Sequence, residues 1–507
     1  MVDEVQSVPP TEPTADLPSM VVGESLKPVA ATERIYTLDV LRGFAIFGIF
    51  MVNIAFFAMP LANAIGQRAG EESTIDLAVH SVVKAFFEFK FVSTFSLLFG
   101  MGLVIQMNRA AKRNRPFVGL YLRRTFLLMA MGAIHGLLLW YGDILFIYSF
   151  VALLVVIIVL LMREIRPKVM LWFATGALVL SVLEGSTVNF LSVFFTGMSA
   201  PSAQSVESTV DGDSLNEESD NTITTDTDSL DFTDDSQVSV PESTEDLNAE
   251  SAVEHDTEPI DEMDRFYDVL LPGLKGNDPN DWDRAEVIAY KEGPMLATLI
   301  MRAITFGGML VFAGLLGGFG LRVLAMFLFG VALMKLNFFD QKHKRWHVRL
   351  CVFGTIIGVL GELSVIAILY LTEHKINYGW AAAESLHQIT SFFLCFGYIG
   401  AITLLVQAGL LRWLTYAMSC VGRTALSNYL LQTIVATYIM YWWGLGMFND
   451  VSRPQQMAIV VGVYCCQLVL SVLYLQVFSI GPFEWLWRSL TYLKFQPILR
   501  RASTTTP

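Results

Sequence analysis

Long apolar runs alternate along this chain with short, strongly polar breaks. Crossing roughly 30 Å of hydrocarbon as a helix takes about 17–25 predominantly apolar residues. Ten runs qualify, at 38–60, 91–107, 125–141, 144–162, 168–190, 318–336, 348–371, 385–408, 424–445 and 457–480. Residues 295–317 are also apolar enough to insert, but a crossing there would reverse every later loop. That segment therefore reads as an interfacial or re-entrant helix, the alternative being an eleventh span compensated by a missed one. The predicted fold is all-α, a polytopic membrane helix bundle of about ten transmembrane helices.

The polar breaks carry orientation. Arg109, Lys112, Arg113, Arg115, Arg123 and Arg124 lie between the second and third runs; Arg163, Arg166 and Lys168 follow the fourth. Lys342, Lys344, Arg345 and Arg349 follow the sixth, and Arg488, Lys494, Arg500 and Arg501 the tenth. Basic residues collect in cytoplasmic loops. These clusters share one side only if both termini are cytoplasmic, which fits an even number of spans.

Composition agrees with insertion. Of 507 residues, 54% are hydrophobic and 16% charged, with mean hydropathy +0.51. A soluble chain carries about a quarter charged residues, so a soluble enzyme is excluded. The net charge of −13 is misleading. Residues 201–264 hold 21 acids and no Lys or Arg, and residues 1–33 hold six acids and one Lys. What remains is a basic membrane body of net +13. The Ser/Thr-rich acidic stretch has one aromatic residue, Phe232, and is too poor in apolar surface to offset its ordering entropy. The organisation is a disordered cytoplasmic tail (1–33), a first membrane half (34–197), a disordered acidic extracytoplasmic insert (198–264), a second half (265–495) and a short cytoplasmic tail (496–507). Five cysteines (351, 395, 420, 465, 466), an odd number mostly at membrane depth, argue against a disulfide framework or a zinc site.

Ionisable groups inside spans are costly and usually face a bundle interior or a watery cavity. In the first span Asp39, Arg42 and Asn53 share one stripe at 100° per residue, with Asn53 about 21 Å beyond Asp39. This is either an interfacial ion pair with a packing Asn or a polar cavity wall. In the third, His135 and Asp143 lie eight residues apart; a continuous helix puts them about 80° and 12 Å apart, too far to pair. His is the usual proton-transfer residue, although a lone His in a span is often a packing group. Lys90 precedes the second span, and Glu384 and His387 open the eighth. With Glu184 these groups fall in the outer half, where one extracytoplasmic pocket would collect them. Thr424, Asn428 and Gln432 form an i, i+4, i+8 stripe suited to interhelical hydrogen bonding. Glu484 and Arg488, an i, i+4 pair beside Trp485 and Trp487, suit a structural amphipathic helix in the cytoplasmic headgroup region.

Several segments together resemble the YeiB-like family of bacterial inner-membrane proteins, a domain of unknown function. They are LDVLRGFAIFGIFMVNI (38–54), KFVSTFSLLFGMG (90–102), IHGLLLWYGDIL (134–145), AYKEG (289–293), LRVLAMFLFGVALMKL (321–336), GRTALSNYLLQ (422–432) and GPFEWLWRSLTY (481–492). The resemblance runs from about 34 to 495, and the acidic insert is longer than the usual loop there. The opening motif is also distantly similar to transmembrane acyltransferases of the heparan-glucosaminide N-acetyltransferase and acyltransferase-3 type. That similarity implies transfer of an acyl group from a cytoplasmic thioester such as acyl-CoA, with no bound cofactor, to an extracytoplasmic glycan or lipid. It also implies a His as base or acyl carrier. No obvious copy of the catalytic-His segment follows the first span, so chemistry and position assign that role to His135, with Asp143 beside it. Asp39, Arg42, Asn53, Lys90, Glu384, His387, Asn428 and Gln432 are the candidate substrate-binding groups. A transporter using the same cavity, or a structural envelope protein, are the alternatives. The partner is the lipid bilayer, nucleic acid is not expected, and the sequence does not encode the oligomeric state.

Overall fold

Within hydrocarbon every backbone amide needs an internal partner, which restricts a long apolar chain to helices or a closed barrel. A computed structural model describes residues 35–66, 72–114, 116–161, 166–199, 262–276 and 279–500. Their regular structure is helical, apart from an isolated bridge between Phe478 and Leu499. Helix α1 (Tyr36–Ala58) is followed by α2 (Leu61–Ala64), α3 (Thr74–Phe86), α4 (Lys90–Lys112), α5 (Val118–Ile134), α6 (Leu145–Leu161) and α7 (Pro167–Ser199). Then come α8 (Glu262–Lys275), α9 (Pro279–Val287), α10 (Met295–Met309), α11 (Phe319–Lys335), α12 (Lys344–Arg349), α13 (Thr355–Leu371) and α14 (Tyr378–Gln407). The last four are α15 (Arg412–Arg423), α16 (Ala425–Met440), α17 (Arg453–Val477) and α18 (Pro482–Tyr492). π-type turns extend α5 to Leu139 and α10 to Leu316.

Each of the ten predicted runs lies largely in a helix. Among the described residues eight stretches are long and apolar enough to cross a membrane, and the chain is a membrane protein. The predicted N-terminal tail and nearly all of the acidic insert lie outside the described residues; of the predicted C-terminal tail, residues 496–500 are described and Leu499 bridges to Phe478. Helix α7 runs to Ser199 and α8 begins at Glu262, so the insert's two edges are helical.

Met295–Leu316 is one of those eight stretches. Its helical turns run on continuously from Met295 to Leu316. The turn that ends it is held where the Ser181 hydroxyl donates to the Gly318 carbonyl at 2.8 Å, midway along α7. Gly318, at φ +75°, redirects the chain into α11. Residues 295–335 are thus one helical stretch broken at Gly318. Residues 74–112 are another, broken at Phe89 with φ +61°.

Two ends of the bundle follow from cross-contacts. At the basic end Tyr36 bonds Thr415, Gln407 bonds Phe339 and His347, and Trp487 bonds the Arg124 carbonyl. At the opposite end the Asn449 amide donates to Ala58, Trp442 to Tyr290, and Arg453 grips Glu72. Close helix crossings set the frame. A Cβ on Gly422 would sit 1.8 Å from the Asp39 carbonyl oxygen, and one on Gly43 2.0 Å from that of Met418. Small residues let membrane helices approach backbone to backbone, and this crossing of α1 with α15 sets Arg42 and Arg423 around one space.

The opposite end is capped by α8 and α9 over an aromatic cluster that includes Phe57, Trp140, Tyr141, Tyr290 and Tyr441. Glu286 of α9 is 1% exposed and accepts the Leu61 amide at 2.7 Å. Burial pushes its carboxyl up to about 8 from 4.5. A carboxyl whose folded pKa exceeds its unfolded value binds its proton more tightly when folded. Its contribution to stability is full below about pH 4.5 and is lost as pH rises through about 8. Thermal unfolding in detergent should show the wild type losing stability across that window, and Glu286→Gln should flatten the slope. Equal slopes in both proteins would dismiss Glu286 as the source.

Candidate functional site at the meeting of two cavities

The π turn 135–139 ends α5 inside the bundle, and the chain reverses through Trp140–Ile144 into α6. The reversal brings Asp143 back onto His135: Nδ1 lies 2.8 Å from Asp143 Oδ2. The predicted 12 Å separation fails because it assumed that the helix continues. Asp143 Oδ1 accepts the Phe146 amide at 2.8 Å, which fixes the carboxylate. The other imidazole nitrogen, Nε2, lies 2.9 Å from the Thr433 hydroxyl of α16. His135, Asp143 and Thr433 are 2%, 3% and 1% exposed. Thr433 carried no signal in the sequence beyond standing next to the Gln432 stripe.

Two cavities meet beside this trio. One, of about 260 Å³, extends to the basic end and is lined by Asp39, Arg42 and Tyr429 among others. The second, of about 320 Å³, extends toward Ile65 at the opposite end and is lined by Asn53, Glu88 and Asp143 among others. Ile49 and Ile144 line both. The α1 stripe therefore runs down both cavities, with Asp39 and Arg42 (2.5 Å apart) below and Asn53 above. Tyr429, whose ring lies 5.2 Å from that of His135, faces the first cavity, and Asp143 faces the second. Both helix breaks, at Phe87–Phe89 and Gly317–Phe319, also line the second. Interrupted helices at membrane depth are tolerated where they border a cavity and mark binding sites.

The other predicted site residues go elsewhere. Lys90 is fully buried, 2.8 Å from Glu362 and donating to the Lys84 carbonyl at 2.9 Å. Glu362 also pairs with His387 Nδ1 at 2.7 Å, and Glu384 pairs with Lys84 at 2.8 Å. Lys90, Glu384 and His387 thus form an ionic cluster outside both cavity linings and bordering the second through Glu88, which lies 3.8 Å from His387. The single outer pocket expected from the sequence is two separate groups. Asn428 bonds Ser471, and Gln432 bonds Gln467 at 2.9 Å, so they join α16 to α17 and do not face a substrate cavity. Glu484 does not turn to Arg488. It caps α16, accepting the Leu426 and Ser427 amides at 2.7 and 3.2 Å. Helix α18 packs on α5 and α16, and Arg488 lines the basic cavity, where burial and neighbouring Arg124 push its guanidinium down to about 10.

The chain is 30% identical over 485 residues to the uncharacterized protein YxaH of Bacillus subtilis (strain 168), covering 94% of this chain and 99% of that protein. It is 28% identical over 476 residues to the uncharacterized protein YeiB of Escherichia coli (strain K12), covering 93% and 100%. The chain belongs to the YeiB-like family. A family profile described as "Protein of unknown function (DUF418)" matches residues 333–494. No solved structure matches. The profile reaches Thr433, Glu484 and Arg488 but stops short of His135 and Asp143. The alignments to the YeiB-like relatives extend over nearly the whole chain, dyad region included.

Proposed function

We propose that the protein is an acyltransferase of the bacterial inner membrane, with both termini cytoplasmic. It moves an acyl group from a thioester donor in the basic cavity to an acceptor in the opposite one. The observation that carries this reading is the buried His135–Asp143 pair at the point where the two cavities meet. Asp143 holds the Nδ1–H tautomer, leaving Nε2 as the base. The Thr433 hydroxyl caps Nε2 at rest and has the Tyr429 carbonyl 3.5 Å away as a second partner. Its rotation onto that carbonyl frees Nε2 for the acceptor. The acceptor O–H or N–H gives its proton to Nε2 as its oxygen or nitrogen attacks the thioester carbonyl. The tetrahedral intermediate then expels the thiolate, which takes the proton back from His135. Acyl-CoA is the donor this reading implies, and an extracytoplasmic glycan or lipid the acceptor.

The test is transfer of label from radiolabelled acetyl-CoA to envelope glycans or lipids supplied on the far side of proteoliposomes. Thr433→Val should retain transfer within about tenfold, since the threonine only caps the base. Complete loss with retention in Thr433→Ser would instead make Thr433 an acyl carrier. A second reading, a transporter, draws on the broken helices around the second cavity. It requires flux of an unmodified solute and no covalent product.

A further inference from the structure

We propose that the basic cavity binds an amphiphile with a phosphate or pyrophosphate head and a short apolar tail, which deepens the acyl-transfer reading by naming the donor's class. Five arginines line the cavity: Arg42 of α1, Arg109 of α4, Arg124 of α5, Arg423 of α15 and Arg488 of α18. Among the described residues two carboxylates line it with them, and both are engaged. Asp39 holds Arg42, and Glu484 is taken up by the Leu426 and Ser427 amides and the Ser427 hydroxyl. Arg124, Arg423 and Arg488 make no ion pair among the described residues. Arg124 instead stacks on Trp487, 4.0 Å from the ring centre, and the buried Nε of Arg423 has no hydrogen-bond partner among the described residues.

Guanidinium groups gathered around a small cavity without ion pairs of their own repel one another, and Arg cannot shed its proton to relieve this. The missing partner is an anion with several acceptor oxygens. Phosphate meets this, because a guanidinium fork donates two parallel hydrogen bonds to it. Toward the centre of the bundle the same cavity turns apolar, with Ile46, Ile49, Leu98, Leu128 and Ile144 on its walls. An anionic head at the arginines therefore places an attached tail against the Ile49–Ile144 wall, next to the dyad. The shared chemistry admits two sources, a soluble phosphorylated thioester and a phosphomonoester lipid.

The experiment titrates full-length protein in phosphatidylcholine nanodiscs with acetyl-CoA and with inorganic pyrophosphate. It then repeats the acetyl-CoA titration in nanodiscs containing phosphatidic acid. Acetyl-CoA should bind, with affinity falling as salt rises. Arg423→Gln and Arg488→Gln should each weaken it by about tenfold or more, while Arg345→Gln, on the exposed face of α12, should not. Competition by phosphatidic acid would assign the site to a lipid head; its absence would assign it to the soluble thioester. His135→Ala should bind acetyl-CoA as the wild type does, so loss of transfer and loss of binding are read separately. Absence of binding by all three phosphates, or equal weakening by Arg345→Gln, would overturn the proposal.

Discussion

Replacing His135 by Ala, or Asp143 by Asn, should reduce acyl transfer by about 10²–10⁴, the usual contribution of a positioned general base. The two substitutions fail for different reasons. Without His135 nothing accepts the acceptor's proton. Asp143→Asn keeps the shape but offers Nδ1 a neutral amide, so the tautomer with a basic Nε2 is no longer enforced. Loss in Asp143→Asn should therefore fall on kcat, with acetyl-CoA binding unchanged. The geometry is tight enough for this to be read: 2.8 Å on one side of the ring, 2.9 Å on the other, and a carboxylate fixed by the Phe146 amide. Turnover like the wild type's in His135→Ala would remove His135 from the chemistry.

Lys90→Met should be among the most damaging single changes to folding. Lys90 and Glu362 are 0% and 1% exposed in their side chains and lie 2.8 Å apart. Removing one partner of a buried pair leaves an uncompensated charge and costs about 3–5 kcal/mol. Glu362 would keep His387 and the Thr390 hydroxyl, at 2.7 and 3.0 Å, but would lose its cation. The double variant Lys90→Met, Glu362→Leu should recover much of the loss, because replacing both charges by apolar groups is often neutral. The measurement is the fraction remaining monodisperse after heating in detergent. A double variant no better than Lys90→Met alone would mean the pair does more than neutralise itself.

The helices and their all-α class were legible, because hydrocarbon leaves an apolar chain few options and the runs are long. The site was legible only in its members. His135 and Asp143 stood out as ionisable groups in a span, but their pairing depends on a chain reversal after a π turn, which helical periodicity does not signal. Thr433 looked like any threonine in a helix until His135 was set against it. Arg109, Arg124 and Arg488 read as loop charges that orient the chain. Their convergence on one cavity requires α4, α5 and α18, with Arg42 and Arg423 supplied by α1 and α15 where they cross at glycines. Asn428 and Gln432 were legible as a polar stripe because i, i+4 spacing is local, but the sequence also offered them as substrate-binding groups, and the structure joins them to Ser471 and Gln467 instead.

The shared wall of Ile49 and Ile144 has an electrical meaning. Each cavity is far larger than the roughly 10–15 Å³ that admits a water molecule, and each has polar groups in a mainly apolar wall, Arg42 and Arg423 in the first, Asn53 and Asp143 in the second. Were water to fill both, the membrane potential would drop mainly across the two isoleucines and the dyad, not evenly over the full bilayer. A unit charge carried through that layer changes energy by about 2.3 kcal/mol for every 100 mV. Proton movements on His135 would then feel the energised state of the membrane, and the rate of the reaction would depend on voltage.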